Sequence, residues 1–280
     1  MAFPQEKTAF LHQLNQQLAQ YYEPAEATII CNWLWEDQNE AAPDWPLLHQ
    51  QAKRLLKREP IQYVLGKAHF YGRDFVVGPG VLIPRRETEE LVVWIRDEIQ
   101  GQHFPIRGLD IGTGSGCIPI SLALEWSERG IASDLLGVDI EPASRNAFIE
   151  NAQSLQAHQC RFEKLDILTA SESAFQDLDF VVSNPPYVPQ KERESIKLHV
   201  KEYEPALALF VPDDDPLRFY RMIAQLSRQW LRLGGQLYFE IHEDYGQEII
   251  DLLKQLGYDQ IVLRRDMQNK DRMVRAVWMG

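Results

Sequence analysis

The chain reads as an α/β protein: a seven-stranded, mostly parallel sheet with one antiparallel strand, preceded by a small helical bundle and a short β-hairpin. Three patterns in its 280 residues predict this. Residues 1–65 carry apolar side chains at helical spacing only. Ala68–Ile83 breaks into two short β-like runs around glycine. From Arg107 onward, short apolar runs alternate with helical segments, the pattern of a parallel sheet covered on both faces.

In chain order, Phe10, Leu11, Leu14, Leu18 and Tyr21 recur at helical spacing, with Gln and Asn between them. A second helix is expected over Ala25–Trp35, with Pro24 in its first turn, where a missing N–H costs nothing. A third starts after Asp44, a side chain able to cap free N–H groups, and carries Leu47, Leu48, Gln51, Leu55 and Leu56. His69–Val77 holds two short strands about Gly72, and Gly78-Pro79-Gly80 interrupts the chain again. A helix through Leu91, Val92 and Ile95 follows.

Strands are expected at Arg107–Ile111, Asp134–Asp139, Cys160–Leu165, Asp179–Ser183, Gln236–Ile241, Gln260–Leu263 and Met273–Trp278. Helical patterns fill Ile118–Trp126, Pro142–Ser154, Leu217–Leu231 and Gln247–Leu256. Only Arg264–Arg272 separates the last two strands. That is too short for a parallel crossover, so one strand there runs antiparallel.

Composition narrows the function. Hydrophobic residues at 45% and charged residues at 25% fit an ordinary globular chain. The start, Met1 to Lys7, has neither the basic region nor the apolar core of a signal peptide. The longest uncharged stretch, near Ile111–Leu124, is rich in Gly and Ser, so no membrane span is expected and a cytoplasmic location is the default. Cys31, Cys117 and Cys160 lie far apart with no C-x-x-C spacing, so neither a zinc site nor a disulfide framework is expected, and no metal. The net charge of −12 argues against a direct nucleic-acid footprint, because such binding draws its affinity from Lys and Arg on phosphate. Residues 1–75 share that lack of a basic surface, with 7 Lys+Arg against 9 Asp+Glu.

The chemistry begins at Leu109-Asp110-Ile111-Gly112-Thr113-Gly114-Ser115-Gly116-Cys117, a glycine loop after the first strand of the sheet. Alternating glycines let the backbone turn tightly and approach a ligand closely. The C-terminal end of the first strand is where open α/β sheets bind ligands. The spacing is G-x-G-x-G, neither the dinucleotide fingerprint nor the phosphate loop, and no Lys follows. Gly137-Val138-Asp139 ends the next strand with an acid, the position that reads ribose hydroxyls in nucleotide-binding folds. A nucleoside without phosphates is therefore the expected ligand. Asp166, after the third strand, could accept a hydrogen bond from an adenine amino group. Asp139 has a lesser alternative as a cap for the helix near Pro142, whereas Asp166 could equally be a cap or turn residue in Asp166-Ile167-Leu168-Thr169.

A further strand runs into Ser183-Asn184-Pro185-Pro186-Tyr187. Two prolines stop any strand, since they donate no ladder hydrogen bond. With the glycine loop and Asp139, this run resembles the class I S-adenosylmethionine-dependent methyltransferases, and Asn184–Tyr187 resembles the motif of those that methylate planar amide or amino nitrogens. Glu59–Gly66, Val81–Val92 with Ile83-Pro84-Arg85-Arg86-Glu87-Thr88-Glu89, Tyr203-Glu204-Pro205 and Asp271-Arg272 are similar to the protein-(glutamine-N5) methyltransferases that act on peptide chain release factors. The likeness runs from about residue 59 to the C-terminus. Arg86 departs from it, standing where a second proline is usual. Val211-Pro212-Asp213-Asp214-Asp215 replaces a typical Gly-Gly-x-Asp-Gly, and Asn269 replaces a glycine.

The resemblance implies a Rossmann-like catalytic domain over 85–280, a hairpin linker over 67–84 and a helical substrate-recognition domain over 1–66. It implies S-adenosyl-L-methionine as cofactor, held by Gly112, Thr113, Gly114, Ser115, Gly116, Asp139, Asp166, Ile167 and Asn184. Asn184, Pro185, Pro186 and Tyr187 would bind the substrate and carry the catalysis. An amide nitrogen is a poor nucleophile, because its lone pair is delocalised into the carbonyl. Two acceptors aimed at its hydrogens, the Asn184 side-chain oxygen and the Pro185 carbonyl, would fix it, with Tyr187 against the amide plane. The expected partner is a release factor presenting a Gly-Gly-Gln loop, with no nucleic acid, no membrane, and the enzyme as a monomer. Competing readings are methylation of a glutamine on a ribosomal protein, N-methylation of a nucleobase in DNA or rRNA, and a non-catalytic cofactor-binding module.

Overall fold

The computed structural model describes residues 3–38, 42–99 and 105–280. They form two compact units, one of residues 1–67 with 197–203 and one of residues 68–196 with 204–280.

The first unit is helical: α1 (Phe3–Leu18), α2 (Pro24–Glu36), α3 (Trp45–Leu55) and α4 (Ile61–Leu65). The predicted starts hold, with Pro24 in the first turn of α2 and the Asp44 carboxylate accepting from the Leu47 N–H at 3.0 Å. Leu14, Leu18, Ile30, Leu34, Leu48 and Leu55 form its core. Arg54 binds α3 to the run that resembles the methyltransferases, pairing with Glu59 at 2.5 Å and donating to the carbonyls of Tyr63 and Val64. Residues 197–203 depart from the expectation that 85–280 is one domain. Lys197 pairs with Glu26 at 3.3 Å and the Tyr203 hydroxyl donates to the Lys57 carbonyl at 2.7 Å.

The second unit opens with the hairpin, β1 (Lys67–Phe70) and β2 (Arg73–Val76), then α5 (Arg86–Glu98). The hairpin is more than a linker, because Phe70 and Phe75 are fully buried in the same core as Leu91, Trp94 and Ile95. There follow β3 (Ile106–Ile111), α6 (Cys117–Glu128), β4 (Ser133–Asp139), α7 (Pro142–Ser154), β5 (Cys160–Lys164) and β6 (Leu178–Ser183). Beyond the segment contributed to the first unit come α8 (Arg218–Trp230), β7 (Leu231–Glu240), α9 (Gly246–Gln255), β8 (Tyr258–Arg265) and β9 (Asp271–Trp278).

The main sheet has seven strands in the order β8-β9-β7-β6-β3-β4-β5. β9 alone runs against the direction of the other six strands, as the short final loop requires. One face packs on α5, α6 and α7, and the other on α8 and α9. Buried on both faces, the central β6 is apolar almost throughout. β7 begins at Leu231, five residues earlier than its sequence suggests. Leu231 already pairs with Leu178, and a register shift over Gly234-Gly235 intervenes before Gln236 meets Phe180.

Two departures from the family pattern are neutral locally. Arg86 is the first residue of α5, where proline is favoured for its helical φ and its unneeded N–H but is not required. Asn269 has φ 65°, a left-handed conformation that Asn tolerates.

Candidate active site

The register of the parallel strands decides what meets at the sheet's carboxyl edge. Ile111 lies opposite Val138 on one side and Ser183 on the other. Ser183 in turn lies opposite Phe239. One residue further along each strand, Asp139, Gly112, Asn184 and Glu240 therefore stand in a row. Between β3 and β6 the chain reverses its direction of travel, β3 leading towards β4 and β6 towards β7. Open α/β sheets bind ligands in the crevice at such a switch point.

A cavity of about 320 Å³ occupies this crevice, lined by Gly112, Gly114, Asp139, Ile140, Asp166 and Ile167 on one side and Asn184, Pro185 and Pro186 on the other. Leu82, Leu207, Ala208 and Phe219 complete its apolar wall. Asp139, Glu141 and Asp166 face it, whereas no Lys or Arg does among the described residues. Such a lining favours a cationic or neutral ligand and disfavours a polyphosphate.

On the β3 side the groups are local. Gly112 and Gly114 adopt φ of 73° and 56°, and a Cβ at either would meet no neighbour, so the bare backbone faces the opening. The Asp139 carboxylate accepts from the N–H groups of Gly114 at 3.0 Å and Glu141 at 2.9 Å. It thus caps the turn before α7 as well as lining the cavity. Asp166 accepts from the Leu168 N–H at 3.0 Å, and the buried Ile167 beside it in sequence also lines the cavity.

Three expected cofactor residues do not line the cavity. The Thr113 hydroxyl donates to Asp110 at 2.6 Å, Ser115 is buried, and a Cβ at Gly116 would come 2.6 Å from the Phe148 ring. They shape the loop from behind. Asn151 braces it too, donating to the Ser115 carbonyl at 2.9 Å while exchanging hydrogen bonds with Val76 of the hairpin. Asp110 is fully buried with one carboxylate oxygen unpartnered. Burial, aided by the charge of Asp139 and opposed by Thr113, raises its pKa to about 7.

The β6 side is assembled from distant residues. The Asn184 side-chain N–H donates to the Thr88 hydroxyl at 3.2 Å, and Thr88 donates to Glu240 at 2.6 Å. The other oxygen of Glu240 accepts from the Tyr187 hydroxyl at 3.3 Å. Burial raises the pKa of Glu240, while Thr88, Arg272 and Tyr187 oppose the shift. Burial likewise raises that of Tyr187. Tyr187 does not line the cavity itself. Its ring meets His242 edge-on at 6.0 Å, a histidine 55 positions away in sequence that the fold alone brings close.

Glu240 lies outside every motif, and Thr88 and Glu204 lie in the resembling stretches with no role read from them there. Glu240 had one signal, an acid ending a run of Leu237, Tyr238 and Phe239, since a buried carboxylate must find partners. Glu204 is buried and holds two of the resembling stretches together. It accepts from the Ile83 N–H at 3.1 Å and pairs with Arg85 at 2.6 Å, and the adjacent Pro205 lines the cavity. The acidic run in the 211–215 loop is engaged locally, Asp213 with the Lys191 N–H and Asp215 with Arg221.

Residues 105–261 match the family described as "Methyltransferase domain". The release factor glutamine methyltransferase of Bacteroides thetaiotaomicron is 45% identical over 223 residues, covering 80% of this chain and 77% of that one. The release factor glutamine methyltransferase of Flavobacterium psychrophilum is 41% identical over 226 residues, with the same shares covered. Among solved structures, the hMettl16 catalytic domain in complex with MAT2A 3'UTR hairpin 1 superposes with a TM-score of 0.55 at 16% identity, covering 73% of this chain and 74% of that one. At that identity the likeness concerns the fold alone.

Proposed function

The chain belongs to the release factor glutamine methyltransferase family, and from that premise we propose that it methylates the side-chain amide nitrogen of the glutamine in the Gly-Gly-Gln loop of peptide chain release factors. The observation that carries this reading is the row at the sheet edge, where a glycine cradle with an acid stands beside an asparagine whose amide is pinned. S-adenosylmethionine, when bound, supplies a methyl group on a positively charged sulfur. The cavity suits it: three carboxylates and no described Lys or Arg face the opening, and the bare backbone of Gly112 and Gly114 leaves room for a close ligand. Gly112, Gly114, Asp139, Asp166 and Ile167 would hold it, with Asp139 accepting from ribose hydroxyls.

The chain's own groups then act on the substrate amide. With the Asn184 N–H engaged by Thr88, its carbonyl oxygen is the atom left to accept a hydrogen from the glutamine NH₂. The Pro185 carbonyl offers a second acceptor at a rigid corner. Together they orient the nitrogen and oppose delocalisation of its lone pair, a contribution of positioning and electrostatics. No strong general base is needed, since an N-protonated amide is a very strong acid and gives up its proton even to a weak acceptor. Tyr187 stands beside this corner rather than across the cavity, so its part is to exclude water from the amide.

We assign the helical unit to recognition of the protein substrate by shape, as the balanced charge of residues 1–75 suggests. The overall −12 charge supports a protein substrate over a nucleic acid. No described helix is long and apolar enough to cross a membrane. The test is mass spectrometry of a release factor co-expressed with the enzyme. One added methyl on the Gly-Gly-Gln glutamine is expected; an unmodified glutamine overturns the assignment.

A further inference from the structure

We propose that Thr88 and Glu240 are positioning residues that set which end of the Asn184 amide faces the substrate. This rests on the function assigned above. The two ends of a carboxamide are nearly identical in shape and opposite in chemistry, one accepting hydrogen bonds and the other donating two. A flipped Asn184 would aim donors at the donors of a glutamine NH₂ and repel it. Something must therefore hold the amide in one sense before substrate arrives.

The structure contains such a device. Glu240 is fully buried at the end of β7, and both its oxygens accept, one from Thr88 at 2.6 Å and one from Tyr187 at 3.3 Å. A hydroxyl carries one proton, so Thr88, donating to the carboxylate, can only accept on its remaining side. The group it accepts from is the Asn184 N–H at 3.2 Å. Direction is thus passed from carboxylate to hydroxyl to amide, and the Asn184 oxygen is left on the side of the cavity it lines. The alternatives at this corner are weaker. The Ser183 hydroxyl is engaged with the Ile111 carbonyl at 2.7 Å, and Tyr187 reaches Glu240 rather than Asn184. Thr88 is itself fixed, being buried in the first turn of α5 with its N–H on the Arg85 carbonyl at 3.1 Å.

The proposal separates a positioning role from a structural one through three variants of the full-length enzyme. Thr88→Val keeps the shape and removes the hydroxyl, Thr88→Ser keeps the hydroxyl, and Glu240→Gln keeps the shape while replacing one acceptor oxygen by a donor. Each is measured in two ways. The ¹⁵N-labelled side-chain NH₂ pair of Asn184, identified by its loss in Asn184→Asp, reports the hydrogen bond without any substrate. Steady-state rates on a release factor report its consequence.

Thr88→Val should shift the Asn184 NH₂ pair and lower kcat by about 10- to 100-fold, the scale of one charge-assisted hydrogen bond. The KM for S-adenosylmethionine should stay within about twofold, because binding and orientation are separate here. Thr88→Ser should restore both the resonance and most of the rate. Should Thr88→Val fail to fold, Glu240→Gln carries the same test, with the same direction expected in resonance and in kcat. An unchanged NH₂ pair in whichever of these two variants folds overturns the relay. A shifted pair with undiminished kcat overturns its role in positioning. If the wild-type enzyme methylates no release factor, the function assigned above falls, while the response of the NH₂ pair still decides the relay.

Discussion

The two sides of the cavity are built by different means. On the β3 side the ligand-facing groups are backbone and carboxylates, and the carboxylates bond within a few residues or to the adjacent loop: Asp139 caps Glu141 and holds Gly114, and Asp166 caps Leu168. On the β6 side one amide is held by a hydroxyl 96 residues away in sequence, itself held by a carboxylate 152 residues from that hydroxyl. The first needs a loop that comes close to its ligand, which glycine and strand geometry provide locally. The second needs a side chain with a defined sense, which only buried neighbours can impose. A glycine cradle can therefore bind without being exact about orientation, whereas the amide corner must be exact to do anything.

The largest effect should come from breaking the exacting side. Asn184→Ala removes the acceptor that orients the substrate nitrogen, an interaction realised as that nitrogen becomes a nucleophile. We expect kcat to fall about 100-fold or more, with fold and most cofactor affinity intact. Single-turnover assays with a Gly-Gly-Gln peptide read this directly. Retention of more than about a tenth of the rate, a loss below roughly 1.4 kcal/mol, would reduce the corner to a turn.

The tolerant side should show its loss in binding instead. Asp139→Ala should weaken S-adenosylmethionine by more than about tenfold, the 1.5–3 kcal/mol typical of hydrogen bonds to a charged group. Titration calorimetry measures it, and an unchanged affinity would remove Asp139 from the cofactor's contacts.

The same side carries a pH signature. Asp110 has a folded pKa of about 7, above the value of roughly 4 of an unfolded Asp. The folded state then binds more protons between those values, so stability is lost as pH rises through that window and the loss is complete above about 7. Asp110→Asn removes the titration. Its melting temperature should rise relative to wild type as pH goes from 5 to 8; parallel curves would contradict the burial argument.

The smallest effect on rate should come from Tyr187→Phe. The ring stays, and Thr88 still donates to Glu240, so kcat should remain within about fivefold. One oxygen of a buried carboxylate loses its partner, however, at a cost of about 1–3 kcal/mol. The melting temperature should fall by several degrees on that account. A large drop in kcat at unchanged stability would instead make the hydroxyl part of the reaction.

What the sequence determined by itself is what short-range chemistry determines. Alternating apolar runs and helical segments specify a parallel sheet, because each element's period is set by its own backbone. The loop after Ile111 and the acid at Asp139 are legible because glycine spacing and a strand-end carboxylate act within one turn of chain. Asn184-Pro185-Pro186-Tyr187 is legible because two prolines cannot continue a strand. The tertiary structure decided the rest. Thr113, Ser115 and Gly116 belong to the motif, yet they support the loop from behind, since the face each residue turns is set by what packs there: Asp110, the core and Phe148. Residues 197–203 pack with the helical unit because Lys197 and Tyr203 find partners at Glu26 and Lys57, which no local pattern encodes. Glu240 reaches Asn184 only through the register that sets Ser183 opposite Phe239, and a register is a property of two strands, never of one.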